Sequence, residues 1–186
     1  TLFRSLDTVV LAIALAMIPF ADYGQYLDSL EMTATIKGFE PLYIQRIAQL
    51  TNKSNQFNLT TLRCSEDDIR AMAGDKNDLC LCGKLVDKFG DNGIVTVVAG
   101  RQQGDVLDLT LWLMSCRVLK RGMEDAMMDT VVAEAAARGV KTIVGHYYPT
   151  AKNAMVREFY AQYDFAKTAE DADGNTEWTL DVSAYT

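Results

Sequence analysis

Hydrophobic and polar residues follow two different periods along this chain, and the period changes at recognisable turn residues. Weakly alternating, Thr-rich residues from Met32 to Ile36 predict a strand. Pro41 then predicts the first turn of a helix, where proline is tolerated. Apolar residues within 42–50 recur at helical spacing and give that helix one apolar side, and the helix is expected to fray near Asn52.

A polar, amide-rich stretch over residues 52–63 predicts a loop, because Asn, Ser and Thr side chains bond readily to nearby backbone groups. Ser65 and Asp68 have the spacing of a capping box, which predicts a helix through about Ala73. Three extended segments follow, at about 79–88, 93–101 and 106–118. The Asp91-Asn92-Gly93 sequence between the first two predicts a hairpin turn, so we expect antiparallel strands.

The second half of the chain has a different rhythm. Met123, Met127, Val131 and Ala135 step by four, which predicts a helix over 122–138 with a left-handed cap at Gly139. The remaining predicted elements are a strand from Lys141 to Tyr148, a helix from Ala151 to about Tyr163 capped by Thr150, and a strand pair near 165–169 and 176–182 around Asp173-Gly174-Asn175.

This order of elements predicts a mixed α/β layer fold in residues 31–186, preceded by a helical lead-in in residues 1–30. The lead-in contains ten consecutive apolar residues, Val9–Ile18. That run is too short to span a bilayer, which needs about 20 residues. It is interpreted as a helix that packs on a neighbouring domain or subunit, with a signal-peptide core as the alternative.

Composition narrows the class of protein. With 49% apolar and 23% charged residues, the 186-residue chain is neither disordered nor collagen-like. Eighteen basic and 25 acidic residues give a net charge of 18 − 25 = −7. We therefore expect no nucleic-acid partner, and we also expect no membrane partner.

Cysteine and histidine usage bears on compartment and metals. Four cysteines are too few for a disulfide scaffold, so a reduced, cytoplasmic setting is expected. Cys80 and Cys82 form a C-x-C pair beside a single histidine in the whole chain, and no metal site is expected.

The sharpest chemical feature joins the third extended segment to the helix at 122. Arg117, Lys120 and Arg121 place three cations in five residues of an acidic chain. Free N–H groups and the dipole at a helix N-terminus favour anions. The segment is therefore either a phosphate site or a solvated basic turn.

Arg117-x-x-x-x-Gly122, then a helix, a strand, and Asn153 and Tyr160 seven residues apart, resemble the GNAT acyltransferase fold. The resemblance implies a mostly antiparallel sheet flanked by helices, a loop that cradles the phosphates of acyl-CoA or of a phosphopantetheine arm, and a tyrosine, Tyr160, that protonates the leaving thiolate. The cofactor-binding residues it implies are Arg117, Val118, Leu119, Lys120, Arg121, Gly122, Met123 and Asn153.

Lys120 departs from the family's loop, which has glycine at that position. A lysine disfavours positive φ but contributes an ammonium charge. We expect it to replace some lost backbone contact to phosphate with a side-chain charge, and so to favour a single phosphate over the diphosphate of CoA.

A narrower resemblance rests on longer blocks of sequence, namely residues 26–32, 46–53, 55–61, 115–118 and 149–153. They are similar to the C-terminal half of FkbH-like proteins, which pair a HAD-type phosphatase domain with a GNAT-like domain. The resemblance implies loading of a glyceryl group, from a phosphoglycerate, onto an acyl carrier protein. The phosphatase motif D-x-D-x-T is absent from this chain, so a phosphatase partner domain is expected on its N-terminal side.

Each candidate catalytic residue has a plainer interpretation. Cys116 is either a small buried hydrophobe or a thiol that carries the acyl group, with Arg117 favouring the thiolate. His146 is a general base or a partly exposed structural histidine. Tyr160 is a general acid or a core tyrosine on an amphipathic helix.

The loop over residues 55–60 supplies the candidate substrate-binding residues Asn55, Gln56, Asn58 and Thr60. Their amides and hydroxyl either bind the acceptor or order their own loop. A CoA-dependent N-acetyltransferase and a non-catalytic docking module for a carrier protein are the alternatives to a carrier-protein acyltransferase.

Overall fold

A computed structural model describes residues 23–186 of the chain. The apolar run at 9–18 and most of the predicted lead-in lie outside the described residues. The described part of the predicted helical lead-in contains α1, Tyr23–Ser29. The boundary between lead-in and domain at residue 30 stays a prediction.

The described residues form a seven-stranded sheet with helices on both faces. The remaining helices are α2 (Ile44–Lys53), α3 (Glu66–Gly74) and α4 (Met123–Ala137). The strands are β1 (Thr33–Gly38), β2 (Asp78–Asp87), β3 (Gly90–Gln103), β4 (Val106–Met114), β5 (Thr142–Tyr147), β6 (Ala166–Glu170) and β7 (Thr176–Asp181). Short 3₁₀ turns occur at Pro41–Tyr43, Cys116–Val118, Ala154–Val156, Tyr160–Tyr163 and Val182–Ala184.

The strand order is β1-β2-β3-β4-β5-β7-β6. Every neighbouring pair is antiparallel except β4 and β5, which are parallel. The predicted mixed, mostly antiparallel sheet flanked by helices is therefore confirmed. Among residues 23–186, no helix combines the length and the hydropathy needed to cross a bilayer.

Two apolar cores lie on the two faces of this sheet. The larger packs α4 against β2, β4, β5 and β7, with Met127, Val131 and Ala135 fully buried as the four-residue step predicts. The smaller packs α2 and α3 against β3 and β4 through residues such as Ile47, Ile69 and Leu111. The sheet thus separates two helical layers, and sites can form on either face at the same strand ends.

A bulge in β4 changes which side chains face each layer. Ala99 pairs with Leu111 but Gly100 pairs with Leu109, so Thr110 is the extra residue. The glycine is required there, because a Cβ at position 100 would lie 2.8 Å from the Asp108 carbonyl oxygen. Beyond the bulge β4 bends away from its parallel neighbour.

Strands β4 and β5 pair only from Val106–Leu109 with Thr142–Gly145, and then diverge. The gap is filled by residues 57–60, which run antiparallel to β4. The Leu59 N–H donates to the Trp112 carbonyl at 3.0 Å, and the Met114 N–H donates to the Phe57 carbonyl at 3.0 Å. From the other side, the Tyr148 N–H donates to the Leu59 carbonyl at 2.9 Å.

Three local predictions are wrong. The β2–β3 turn lies at 88–89, and the predicted hairpin at Asp91-Asn92-Gly93 is instead an irregular start of β3. Strand β4 ends at Met114 rather than 118. The helix predicted over 151–163 is two 3₁₀ turns, because the Asn153 side chain bonds to the backbone of its own turn and Tyr160 packs against β5.

Candidate functional site

A cavity of about 600 Å³ opens where β4 ends, between α2, the loop at 54–57 and the turn after β4. Its lining includes four cationic side chains, those of Arg46, Lys53, Arg117 and Lys152, and among the described residues none that lines it is acidic. In a chain of net charge −7, this is a local site of positive potential. We call it the cationic cavity. It suits an anionic ligand.

Cys116 lines the cationic cavity, and its side chain is exposed. The interpretation of this cysteine as a small buried hydrophobe is therefore wrong: β4 ends two residues earlier, and Cys116 begins a 3₁₀ turn. The chain's other cysteines are more enclosed, and burial raises the pKa of Cys80 to about 12 and of Cys82 to about 11. Cys116 is thus the thiol best placed to react.

A second cavity, of about 360 Å³, lies between the N-terminus of α4, α1 and the segment at 155–163. We call it the groove cavity. Its walls are largely apolar or aromatic, with Leu27, Leu119 and Phe159 among them. Phe57 lines both cavities, and its ring packs edge-on against Phe159 with centroids 5.1 Å apart. This phenyl ring is therefore a wall shared by the two cavities.

The loop between Cys116 and α4 does not present its three cations together. Arg117 faces the cationic cavity, and Lys120 lines the groove cavity. Arg121 donates to the Asp87 carboxylate of β2 at 3.0 Å. The Phe89 N–H first, then Asn92 and Arg121, hold the pKa of Asp87 below its usual range. Arg121 thus anchors the loop to the sheet.

The backbone of this loop is left-handed at two positions, Lys120 with φ 60° and Gly122 with φ 79°. The expectation that a lysine would keep position 120 out of positive φ is wrong. The Lys120 N–H donates to the Glu124 carboxylate at 2.7 Å, and the Tyr23 hydroxyl donates to the Lys120 carbonyl, so both backbone groups of this residue are bonded. Of the other predicted loop residues, Val118 and Met123 are buried in the core, and Leu119 is half-buried.

Asn153 is fully buried and holds the segment at 57–60 in the sheet gap. Its amide nitrogen donates to the carbonyls of Asn58 and Tyr148, each at 2.9 Å. Its amide oxygen accepts from the Thr150 N–H at 2.7 Å and from the Tyr147 hydroxyl at 3.3 Å. Both polar atoms are therefore used within the protein, and the predicted role of Asn153 in cofactor binding stays a prediction.

The four predicted substrate-binding residues divide into two pairs. Asn55 and Gln56 line the cationic cavity, and the Asn55 oxygen accepts from Arg63 at 2.7 Å. Asn58 and Thr60 are buried; Asn58 caps its own loop through Ser54 and Thr61, and the Thr60 hydroxyl donates to the Thr110 carbonyl at 2.7 Å. The first pair can meet a ligand, whereas the second orders the segment that fills the gap.

Tyr160 is 1% exposed and packs on β5, where a Cβ added to Gly145 would lie 2.4 Å from its ring. It joins an aromatic group with Trp112, Phe159 and Phe165. Burial raises the pKa of its hydroxyl well above the usual range, although a bond from the His146 backbone opposes this. A proton is harder to remove from such a phenol, so the geometry supports packing more directly than acid catalysis.

His146 lines neither the cationic cavity nor the groove cavity. Its Nε2 is 2.6 Å from Asp108 Oδ1 on the neighbouring strand β4. Its ring stacks on Tyr148 with centroids 6.0 Å apart. Alternation along β5 places the histidine on the face opposite Ile143 and Tyr147, which belong to the core under α4. His146 and Asp108 thus form a half-buried pair on the sheet face opposite α4.

Sequence reasoning did not identify five residues near the candidate site, namely Arg46, Lys53, Lys152, Asp108 and Glu124. The first three lie on α2 and on the turn after β5, and only the fold brings them to Cys116. Of the five, only Glu124 could have been proposed from local sequence, because acidic residues are favoured in the first turn of a helix such as α4. In the part of the chain that the structure describes, no group of three His, Cys, Asp or Glu side chains could hold a metal ion.

Comparison with known proteins identifies the fold. No family model matches this chain, and no curated protein matches it either. Solved structures do match. The ribosomal-protein-S18-alanine N-acetyltransferase from Escherichia coli aligns with a TM-score of 0.61 at 15% identity, covering 81% of this chain and 94% of the other.

Two further structures give the same result. The GNAT domain of PAT from S. lividans aligns with a TM-score of 0.61 at 15% identity, covering 80% of this chain and 90% of that one. Spermidine N-acetyltransferase from Vibrio cholerae, solved with CoA and spermine, aligns with a TM-score of 0.60 at 10% identity, covering 81% and 96%. The chain therefore has a GNAT fold, as predicted. The narrower FkbH-like resemblance finds no support in these comparisons and stays a prediction.

Proposed function

We propose that this chain is an acyltransferase that moves an acyl group to or from the phosphopantetheine thiol of an acyl carrier protein, with Cys116 holding the acyl group between the two steps. The FkbH-like resemblance suggests that the acyl group is glyceryl. The single observation that carries the proposal is an exposed cysteine in a cavity with four cationic side chains, at the end of β4 in a GNAT-fold sheet.

The charges of the cationic cavity favour a phosphorylated acyl group. Nearby cations attract an anionic donor to the exposed Cys116 thiol. Arginine and lysine also bind phosphate through charge-assisted hydrogen bonds. A glyceryl group that still carries a phosphate would place that phosphate among Arg46, Lys53 and Lys152, with its carbonyl carbon near Cys116.

The chemistry balances without a redox partner. The Cys116 thiolate attacks the carbonyl carbon of an activated donor, and the donor's phosphate or thiolate leaves with the electron pair. The pantetheine thiolate then attacks the Cys116 thioester and releases the cysteine as thiolate. Backbone N–H groups at Cys116 and Arg117 are the nearest candidates to stabilise the oxyanion, since that of Val118 donates to the Ser115 carbonyl at 3.2 Å.

The groove cavity offers a route for the pantetheine arm. Its largely apolar wall ends at Phe57, the ring that also lines the cationic cavity. A thiol that enters along α4 would reach Cys116 once this ring shifts. A phosphatase domain on the N-terminal side of the chain belongs to the same proposal, since it would remove phosphate from the transferred group.

A CoA-dependent N-acetyltransferase is the second candidate, and the pair of His146 and Asp108 favours it, since an amine acceptor needs a base. The cationic cavity argues against an ammonium acceptor at Cys116, because four like charges would repel it. The V. cholerae relative is named with spermine, a polycation. Such an acceptor would have to bind near His146 and Asp108, neither of which lines the cationic cavity.

One assay separates the two candidates. The protein is incubated with a phosphoglyceryl donor and holo-carrier protein, or with acetyl-CoA and a panel of amines, and products are measured by intact mass. Apo-carrier protein, which lacks the arm, is the control. Among the acceptors, we expect acyl mass on holo-carrier protein and not on apo-carrier protein or the amines. Acetylated amine with no acylated carrier would reject the proposal and support the N-acetyltransferase.

A further inference from the structure

A carboxylate of the chain itself occupies the anion-binding position of the loop before α4. In the GNAT resemblance, backbone amides of this loop cradle the diphosphate of CoA. Here the Lys120 N–H already donates to the Glu124 carboxylate at 2.7 Å. Glu124 lies in the first turn of the 15-residue α4, where the helix dipole stabilises a negative charge. A phosphate must displace this side chain to reach the amide.

The surroundings of Glu124 also disfavour a phosphate. Asp125 lines the same groove cavity and accepts from the Tyr163 hydroxyl at 2.8 Å. Lys120 is the one basic residue among the residues that line this cavity in the described chain, so the lining carries 1 − 2 = −1 charge. The four cations of the cationic cavity are on its far side, beyond Phe57.

The loop presents no second cation to the groove cavity, since Arg117 lines the cationic cavity instead. Arg121 is engaged by Asp87 at 3.0 Å. The Lys120 carbonyl accepts from the Tyr23 hydroxyl, so the N–H and the carbonyl of this left-handed residue are both bonded. These contacts leave a groove with apolar and aromatic walls whose anion-binding end is closed by Glu124.

The residues present therefore do not fit the diphosphate of CoA. We infer that Glu124 is a specificity-determining residue that excludes the CoA diphosphate from the groove cavity. The cavity then takes the uncharged pantetheine portion of a donor or acceptor whose phosphate stays outside, as on a carrier protein. This inference rests on the proposed function, because it assigns the ligand class of that same site.

The test measures binding rather than activity. Calorimetry compares CoA with pantetheine, which lacks phosphate, on the wild-type protein, on Glu124→Gln and on the control Glu134→Gln. Glu134 is exposed on the same helix, outside the groove cavity. The glutamine at 124 can still accept from the Lys120 N–H, and equal melting temperatures would confirm an intact loop.

We expect pantetheine to bind the wild-type protein at least as tightly as CoA. Glu124→Gln should raise CoA affinity about tenfold, since it removes a like charge near the diphosphate. It should leave pantetheine unchanged, and Glu134→Gln should change neither ligand. The inference is overturned if CoA binds wild-type protein ten times more tightly than pantetheine. It is also overturned if Glu124→Gln leaves the affinity for CoA unchanged. The same holds if CoA binding is detected neither for the wild-type protein nor for Glu124→Gln.

Failure of this inference and failure of the proposed function give different results. If Glu124→Gln has no effect while acyl groups still reach the holo-carrier protein, only the role of Glu124 is rejected. If Glu124→Gln gains CoA affinity while no acyl group reaches the carrier, the acyltransfer proposal is rejected and the exclusion of CoA by Glu124 remains.

Discussion

The Tyr160 hydroxyl lies in the core against β5, and its ring is within contact of the Gly145 backbone. Because Tyr160 lies seven residues after Asn153, the GNAT resemblance implies that it is a general acid. The structure gives it a packing role as well, among Trp112 and Phe165. Because burial raises its pKa, the phenol is a weaker acid than an exposed tyrosine.

We predict that Tyr160→Phe lowers acyl transfer less than tenfold. The matched control is Tyr147→Phe, which also removes a buried hydroxyl, here one bonded to Asn153. Steady-state turnover and a melting curve are measured for both. A fall of about 10²-fold for Tyr160→Phe alone, with the protein folded, would instead assign the proton donor to Tyr160.

At the scale of elements, the segment at 57–60 is the least expected part of the fold. It fills the gap between β4 and β5 and bonds to both strands. The backbone groups of Trp112 and Met114 that face this gap are therefore satisfied within the chain. A pantetheine arm cannot use them unless the segment moves, so a passage between β4 and β5 is closed in this conformation.

We predict that Asn153→Asp lowers the free energy of unfolding by about 1–3 kcal/mol. The aspartate cannot donate, so the carbonyls of Asn58 and Tyr148 lose their partner at a fully buried position. Urea denaturation measures the change. Asn77→Asp, at an exposed turn, is the control. Equal stabilities of the two variants would mean that the segment is not held by Asn153.

Features with short-range causes were predictable from the sequence. The capping box at Ser65 and Asp68 forms as expected, and Gly139 takes its left-handed cap with φ 74°. Each depends on residues within one turn. The prediction of a helix over 151–163 was wrong, because the Asn153 side chain bonds to the backbone of its own turn and to a loop 95 residues away, and these bonds fix the chain in a non-helical path.

In the candidate site, too, residues close together in sequence were predictable and residues far apart were not. Cys116 and Arg117 were identified because they are adjacent in sequence. The other cations of the cavity come from α2 and from the turn after β5, up to 106 residues apart in sequence, between Arg46 and Lys152. No local pattern reports such a grouping. The engagement of Arg121 by Asp87 was hidden for the same reason.

At the scale of the whole molecule, charge is distributed unevenly. The chain carries −7, yet one cavity has four cationic side chains and the adjoining one has a negative lining. An acidic partner would be attracted to the mouth of the cationic cavity. Under the proposed function, a carrier protein would lie across both mouths, with its arm in the groove cavity and its acidic surface against Lys53 and Lys152.

We predict that binding of holo-carrier protein weakens about tenfold or more between 50 and 200 mM salt, because exposed charges are screened. Lys53→Gln should weaken binding at low salt and reduce the salt dependence. Lys76→Gln, at an exposed turn that does not line the cationic cavity, is the matched control. Fluorescence anisotropy with a labelled carrier measures both. Salt-independent binding, or equal effects of the two variants, would contradict an electrostatic contact.

The central claim is that Cys116 carries the acyl group. The most direct measurement is the intact mass of the protein after incubation with a phosphoglyceryl donor, before and after addition of holo-carrier protein. We predict an acyl adduct on the wild-type protein and on Cys64→Ala, which removes a buried thiol. The adduct should move to the carrier on its addition and be absent from Cys116→Ala. An adduct that persists on Cys116→Ala, or transfer to the carrier by that variant at the wild-type rate, would contradict the account.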